Sequence, residues 1–161
     1  MTAARLASAT VRLRSLLLAA VLLSPVAAAQ RAPRLQPTTW PPDAVTERDV
    51  DVAFRRGDDV VVAIVRKGSA SVGQMRVDGI TVTIRPVAAP RRERDGTREV
   101  EIETWRSLGR ALIVELRAVW DNVMGEVSDC AYGEGTVAVT RRGRTTRTPV
   151  TAAACPGGYS R

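Results

Sequence analysis

With 161 residues and a formal net charge of +7, from 24 Lys and Arg against 17 Asp and Glu, the chain is sized for one domain. It contains no histidine, which excludes Ser-His-Asp and Cys-His nucleophile systems, histidine-based zinc sites and the commonest general base near neutral pH. Its single lysine, Lys67, has no glycine-rich phosphate loop around it, so P-loop chemistry is excluded as well.

Residues 1–29 have the composition of a cleavable secretion signal. Arg5, Arg12 and Arg14 give a positive leader, Leu16 to Leu23 is uncharged and apolar, Pro25 breaks the helix, and Ala27-Ala28-Ala29 supplies small side chains for a peptidase. The apolar run is far short of the roughly 20 residues that cross a bilayer. Arg12 and Arg14 are not adjacent, which points to general export over a twin-arginine route. Removing the three signal arginines leaves +4 on the remainder, a mild charge that is not of nucleic-acid scale. No second apolar run of membrane length follows, so no transmembrane segment is expected after cleavage, and the expected location is secreted or periplasmic.

Residues 30–48 hold Pro33, Pro37, Pro41 and Pro42 and read as an irregular lead-in, because proline removes backbone donors and restricts its neighbours. From Asp49 to Arg161 the hydrophobic period is two, in short runs broken by turn residues, which is a β signature. Pairing parity then predicts four hairpins, since a one-residue slip sends every side chain to the wrong face. In the first, a Gly57-Asp58 turn sets Arg56 opposite Asp59, Phe54 opposite Val61 and Val52 opposite Ala63. The run Val60–Val65 is apolar on both faces and belongs inside a sheet. Gly68 to Gly73 reads as a flexible turn. In the second hairpin, an Asp78-Gly79 turn sets Val77 opposite Ile80, Met75 opposite Val82 and Gly73 opposite Ile84.

Arg91, Arg92, Arg94 and Arg98, interrupted by Glu93 and Asp95, read as a polar loop. The third hairpin joins 98–105 to 111–120 through a five-residue loop, with Ile102 opposite Val114, Val100 opposite Leu116 and Glu99 opposite Arg117. A helix through Trp105, Leu108, Leu112 and Leu116 is the alternative, disfavoured by Gly109 in its first turn. The fourth joins 136–142 to 145–151 at a Gly143-Arg144 turn, with Val137 opposite Val150. That register brings Cys130 and Cys155 to its open end, where an exported pair forms a disulfide. Eight short strands imply an all-β domain. It is either an antiparallel sandwich, immunoglobulin-like in general architecture and favoured by strand count, or a small closed barrel.

Chemistry is sparse. Glu99, Glu101 and Glu103 share a strand face and are the acid–base candidates, but alternate polar residues are what a solvated face looks like. Ser69 or Ser71 with Lys67 is a dyad by sequence proximity only. Asp49, Asp51, Asp58 and Asp59 do not converge as a hard-cation site requires. No catalytic residue, metal site or cofactor is expected. The one candidate site is a basic hairpin tip of Arg141, Arg142, Arg144 and Arg147, whose guanidinium forks suit carboxylate or phosphate oxygens. The expected function is a non-catalytic binding or structural module of the envelope or extracellular space, contacting an anionic envelope polymer or an acidic protein. The alternatives are an exported proteinaceous inhibitor of a hydrolase and, after it, a small hydrolase. With few aromatics there is no stacking platform for nucleic acid.

N-terminal analysis of protein recovered from the envelope or medium is expected to begin at or near Gln30. A chain still starting at Met1 or Thr2 would contradict the cleavable signal.

Overall fold

The computed structural model describes residues 31–38, 50–67, 70–109, 111–120 and 130–155. The signal at 1–29, and with it the expected cleavage site, lies outside them. Ten strands are present, with no helix among the described residues: β1 (Leu35–Gln36), β2 (Val52–Arg56), β3 (Asp59–Lys67), β4 (Ala70–Val77), β5 (Ile80–Pro86), β6 (Arg91–Asp95), β7 (Arg98–Ser107), β8 (Leu112–Trp120), β9 (Ala131–Arg141) and β10 (Arg144–Ala154).

Eight of them, β2 to β5 and β7 to β10, are neighbours in chain order, and β2 pairs with β10. The result is an up-and-down antiparallel barrel, and its eight staves are the strands of the four expected hairpins. Of the two architectures, the sandwich gives way to the closed barrel. The β4–β5 and β5–β7 ladders join the two halves, so no sheet edge is left between them. Closure removes the edge-strand hazard that a sandwich manages by other means.

The Asp78-Gly79 hairpin has the expected register, with positive φ at both turn residues (51° and 81°). The first hairpin keeps its Gly57-Asp58 turn, but a bulge in β3 pairs Phe54 with Val62 instead of Val61. The extra residue turns Val61 and Val62 alike toward the core, and Val60 to Ile64 are all buried, as the two-sided apolar run requires. In the fourth hairpin the turn is Arg142-Gly143 (φ 49° and 76°), not Gly143-Arg144. Val137 therefore meets Thr148 instead of Val150. Parity is conserved, so the inner faces stand, and Ala131 opposite Ala154 brings Cys130 against Cys155, which are disulfide-bonded.

The third hairpin differs most. β7 runs on to Ser107, whose Oγ accepts the Leu112 N–H at 3.2 Å, and Trp105 pairs with Val114 while Ile102 meets Arg117. The shift reverses parity, so the odd residues of β7 face the lumen. Trp105, 1% exposed, is the largest side chain of the core, and Val100 on the opposite face of β7 is buried as well, beside Val119, so that of the apolar residues expected inside only Ile102 is left half-buried.

Three segments expected to be irregular contain strand: of the turn expected at Gly68 to Gly73, Ala70 to Gly73 pair with β3 as the start of β4. Arg91–Asp95 pairs with β7 as β6. Within the lead-in, Leu35 and Gln36 pair with Val77 and Arg76 of β4, and Thr38 N–H donates to the Val60 carbonyl at 2.8 Å. β1 lies along β4 just beyond the β3–β4 ladder, which ends at Val62 opposite Met75, and Leu35 joins the core.

The lumen is packed with side chains. Met75, Ile84, Trp105, Leu116, Val137 and Val139 are all but fully buried, while outward positions carry residues such as Arg85, Arg117 and Arg147. This alternation is the inverse of a lipid-facing barrel, whose outer band is apolar.

β9 lies unusually close to β8 at two glycines. A Cβ on Gly133 would stand 2.1 Å from the Val119 carbonyl oxygen, and one on Gly135 would stand 2.7 Å from that of Arg117. Because the obstacle is backbone, Gly133→Ala is expected to destabilise by about 3 kcal/mol or more, read as a drop in thermal midpoint. An unchanged midpoint would show that β8 and β9 are not that close.

Candidate functional site

Three groups of charged side chains sit at distinct places on the barrel. The first is the basic tip. Arg141 faces inward at the end of β9, and its Nη1 lies 2.8 Å from Asp78 Oδ2 on the β4–β5 turn. Asp78 also accepts the Arg34 N–H at 2.9 Å. Arg141 is therefore a bridge across one end of the barrel and not a member of an open crown. Arg142 and Arg144 are exposed at the turn, and Arg147, opposite Ala138, is exposed on the outer face of β10.

The second group closes the other end. Arg66, inward on β3, reaches across the lumen from Nη2 to Glu103 Oε1 on β7, with Glu101 Oε1 at 3.8 Å. Trp105 Nε1–H donates to Glu103 Oε2 at 2.8 Å. Of the three glutamates read as a solvated face, Glu101 and Glu103 instead turn toward the lumen, Glu103 being 8% exposed, while Glu99 stays at the surface with Arg92. The reason is the reversed parity that buries Trp105. The free space between this cluster and the apolar core is about 10 Å³, no more than the roughly 10–15 Å³ one water requires. On its outer side the cluster forms the floor of a cleft of about 500 Å³ beside Ser71 and the Pro86–Pro90 crossover. Burial pushes the Glu103 carboxyl above its ordinary range. Arg66 and the indole N–H pull it back, and the neighbouring Glu101 adds to the rise.

The third group was not visible in the sequence. On the outer surface, β2 stops at Arg56 while β10, β9 and β8 continue, and the step leaves a cleft of about 570 Å³. Arg55, Arg56 and Arg117 line it against one carboxylate, Glu134, with Thr136 and Thr151 between them. The Arg55 Nε is buried without a hydrogen-bond partner. These residues are far apart in the chain, and only the stagger of the closed barrel assembles them.

Of the remaining candidates, Asp51 accepts the Arg66 backbone N–H, the Lys67 side chain and Ser69 lie outside the described residues, as does Asp49, and Asp58 and Asp59 sit at the β2–β3 turn. Among the described residues no group of His, Cys, Asp and Glu is arranged to hold a metal ion, and no helix is long and apolar enough to cross a membrane.

A carboxyl whose pKa is raised by folding adds stability that is fully present below its unfolded pKa and lost as pH rises through the folded one. Across pH 4 to 8 the thermal midpoint of Glu103→Gln is therefore expected to gain steadily on that of the wild type. A difference independent of pH would mean that Glu103 titrates normally.

No family model, no curated protein and no solved structure matches the chain.

Proposed function

We propose that the protein is an exported, non-catalytic binding module of the envelope or extracellular space, and that it holds an anionic partner on the outer face around β10. One observation carries this reading. Arg55, Arg56 and Arg117 line one cleft with a single carboxylate, Glu134, and neither they nor Arg142, Arg144 and Arg147 of the β9–β10 hairpin have an ion-pair partner among the described residues. Guanidinium groups left without internal acids keep their bidentate donors available for carboxylate, sulfate or phosphate oxygens. The filled lumen supports the same placement, since an eight-stranded barrel either packs its interior or holds one small ligand there. The disulfide and the export signal agree with an oxidising compartment outside the cytosol.

The test is retention on acidic polysaccharide, DNA and anionic vesicles at two salt concentrations. Binding to at least one is expected at low salt, weakening steeply as salt screens exposed charges over about 10 Å at 0.1 M. Arg142→Ser/Arg144→Ser/Arg147→Ser should weaken it by about tenfold, from three exposed charges at about 0.5 kcal/mol each. No retention on any polyanion at low salt would overturn the reading.

A further inference from the structure

We infer that the cleft between the end of β2 and the outer face of β8 to β10 is a binding site for an acidic polysaccharide. The inference rests on the anion-binding reading and names its ligand class. By register, Arg55 lies opposite Thr151, Thr151 opposite Glu134 and Glu134 opposite Val119, while Arg117 lies opposite Thr136 one row on. At roughly 4.8 Å per strand, β2 and β8, which carry the flanking arginines, are about 14 Å apart. Between them stand two hydroxyls and a carboxylate, so anion donors alternate with groups that exchange hydrogen bonds with hydroxyls. A polymer offering both carboxylate or sulfate and ring hydroxyls matches that sequence of groups.

Other polyanions match less well. A polyphosphate has no hydroxyl for Glu134 to accept from and meets its charge as repulsion. No aromatic side chain lines the cleft, so a nucleic acid has nowhere to stack its bases. An acidic peptide would pair as an added strand along β10, whose residues Arg144–Val150 have no partner on the β2 side among the described residues. Pro149 breaks that edge, because it has no N–H to give a new ladder. The buried, unpartnered Arg55 Nε is the specific donor the ligand satisfies.

The experiment measures the affinity of the purified, disulfide-bonded protein for a polyuronate, an inorganic polyphosphate and poly-glutamate of matched charge, at two salt concentrations. The expected result is preference for the polyuronate by about tenfold or more, the worth of one charge-assisted hydrogen-bond pair. Arg55→Gln/Arg117→Gln should abolish that preference, and the exposed Arg56→Gln, which leaves the fold undisturbed, should reduce it. Glu134→Gln should weaken polyuronate binding while strengthening polyphosphate binding. Equal binding of all three polymers, with or without effect of the variants, overturns the saccharide assignment and leaves the anion-binding reading standing. Preference for poly-glutamate assigns the surface to an acidic protein and overturns it too. Binding to none of the three overturns both.

Discussion

A filled barrel has a problem at each end, where inward positions must meet water without opening the core. Here both ends are met by an ion pair across the lumen. Arg66 on β3 reaches Glu103 on β7, and Arg141 on β9 reaches Asp78 on the β4–β5 turn. Each pair joins strands on nearly opposite sides of the ring. Such pairs add little net stability: Arg141 and Asp78 are part-exposed to water, and only at Glu103, which is buried, does losing the partner strand a charge at a high cost. Their effect is therefore on arrangement. They match opposite staves at fixed heights and close the apolar interior.

The fold was legible where local chemistry decides. Asp78-Gly79 accepts positive φ at both positions, so its hairpin register follows from two residues. Alternation failed on β7 because both of its faces bury large apolar groups, Trp105 toward the lumen and Val100 on the other side, so period alone does not say which face is inner. The indole N–H is satisfied by the glutamate that turns inward with it. The β3 bulge was hidden for a related reason: a run apolar on both faces carries no parity signal, so an extra residue in it leaves no trace.

The arginines of the outer wall are legible in the sequence as residues and not as neighbours. A cluster of arginines on one turn is visible in any sequence, yet one of the four, Arg141, belongs to the barrel's own closure. The cleft arginines are single residues on separate strands. Nothing in the spacing of Arg55, Arg117 and Glu134 marks them as neighbours, since their meeting depends on which stave closes against which and with what stagger.

The seam of that closure has a consequence for how the protein is made. β2 and β10 are the first and last staves, and only four residue pairs hold them together, from Arg55–Thr151 to Val52–Ala154. The disulfide sits at the end of this seam, where Cys155 N–H also donates to the Asp51 carbonyl at 2.8 Å. A contact between chain-distant strands forms late, because the entropy of closing so long a loop comes before any reward. As the chain is made, β2 has β3 on one side but no neighbour on the other, and the ring cannot shut until β10 is present. Oxidation then ties the β9–β10 hairpin at its open end, presenting a finished edge to β2. Completion of the barrel thereby waits for β10, and a chain cut short before that strand is left as an open sheet.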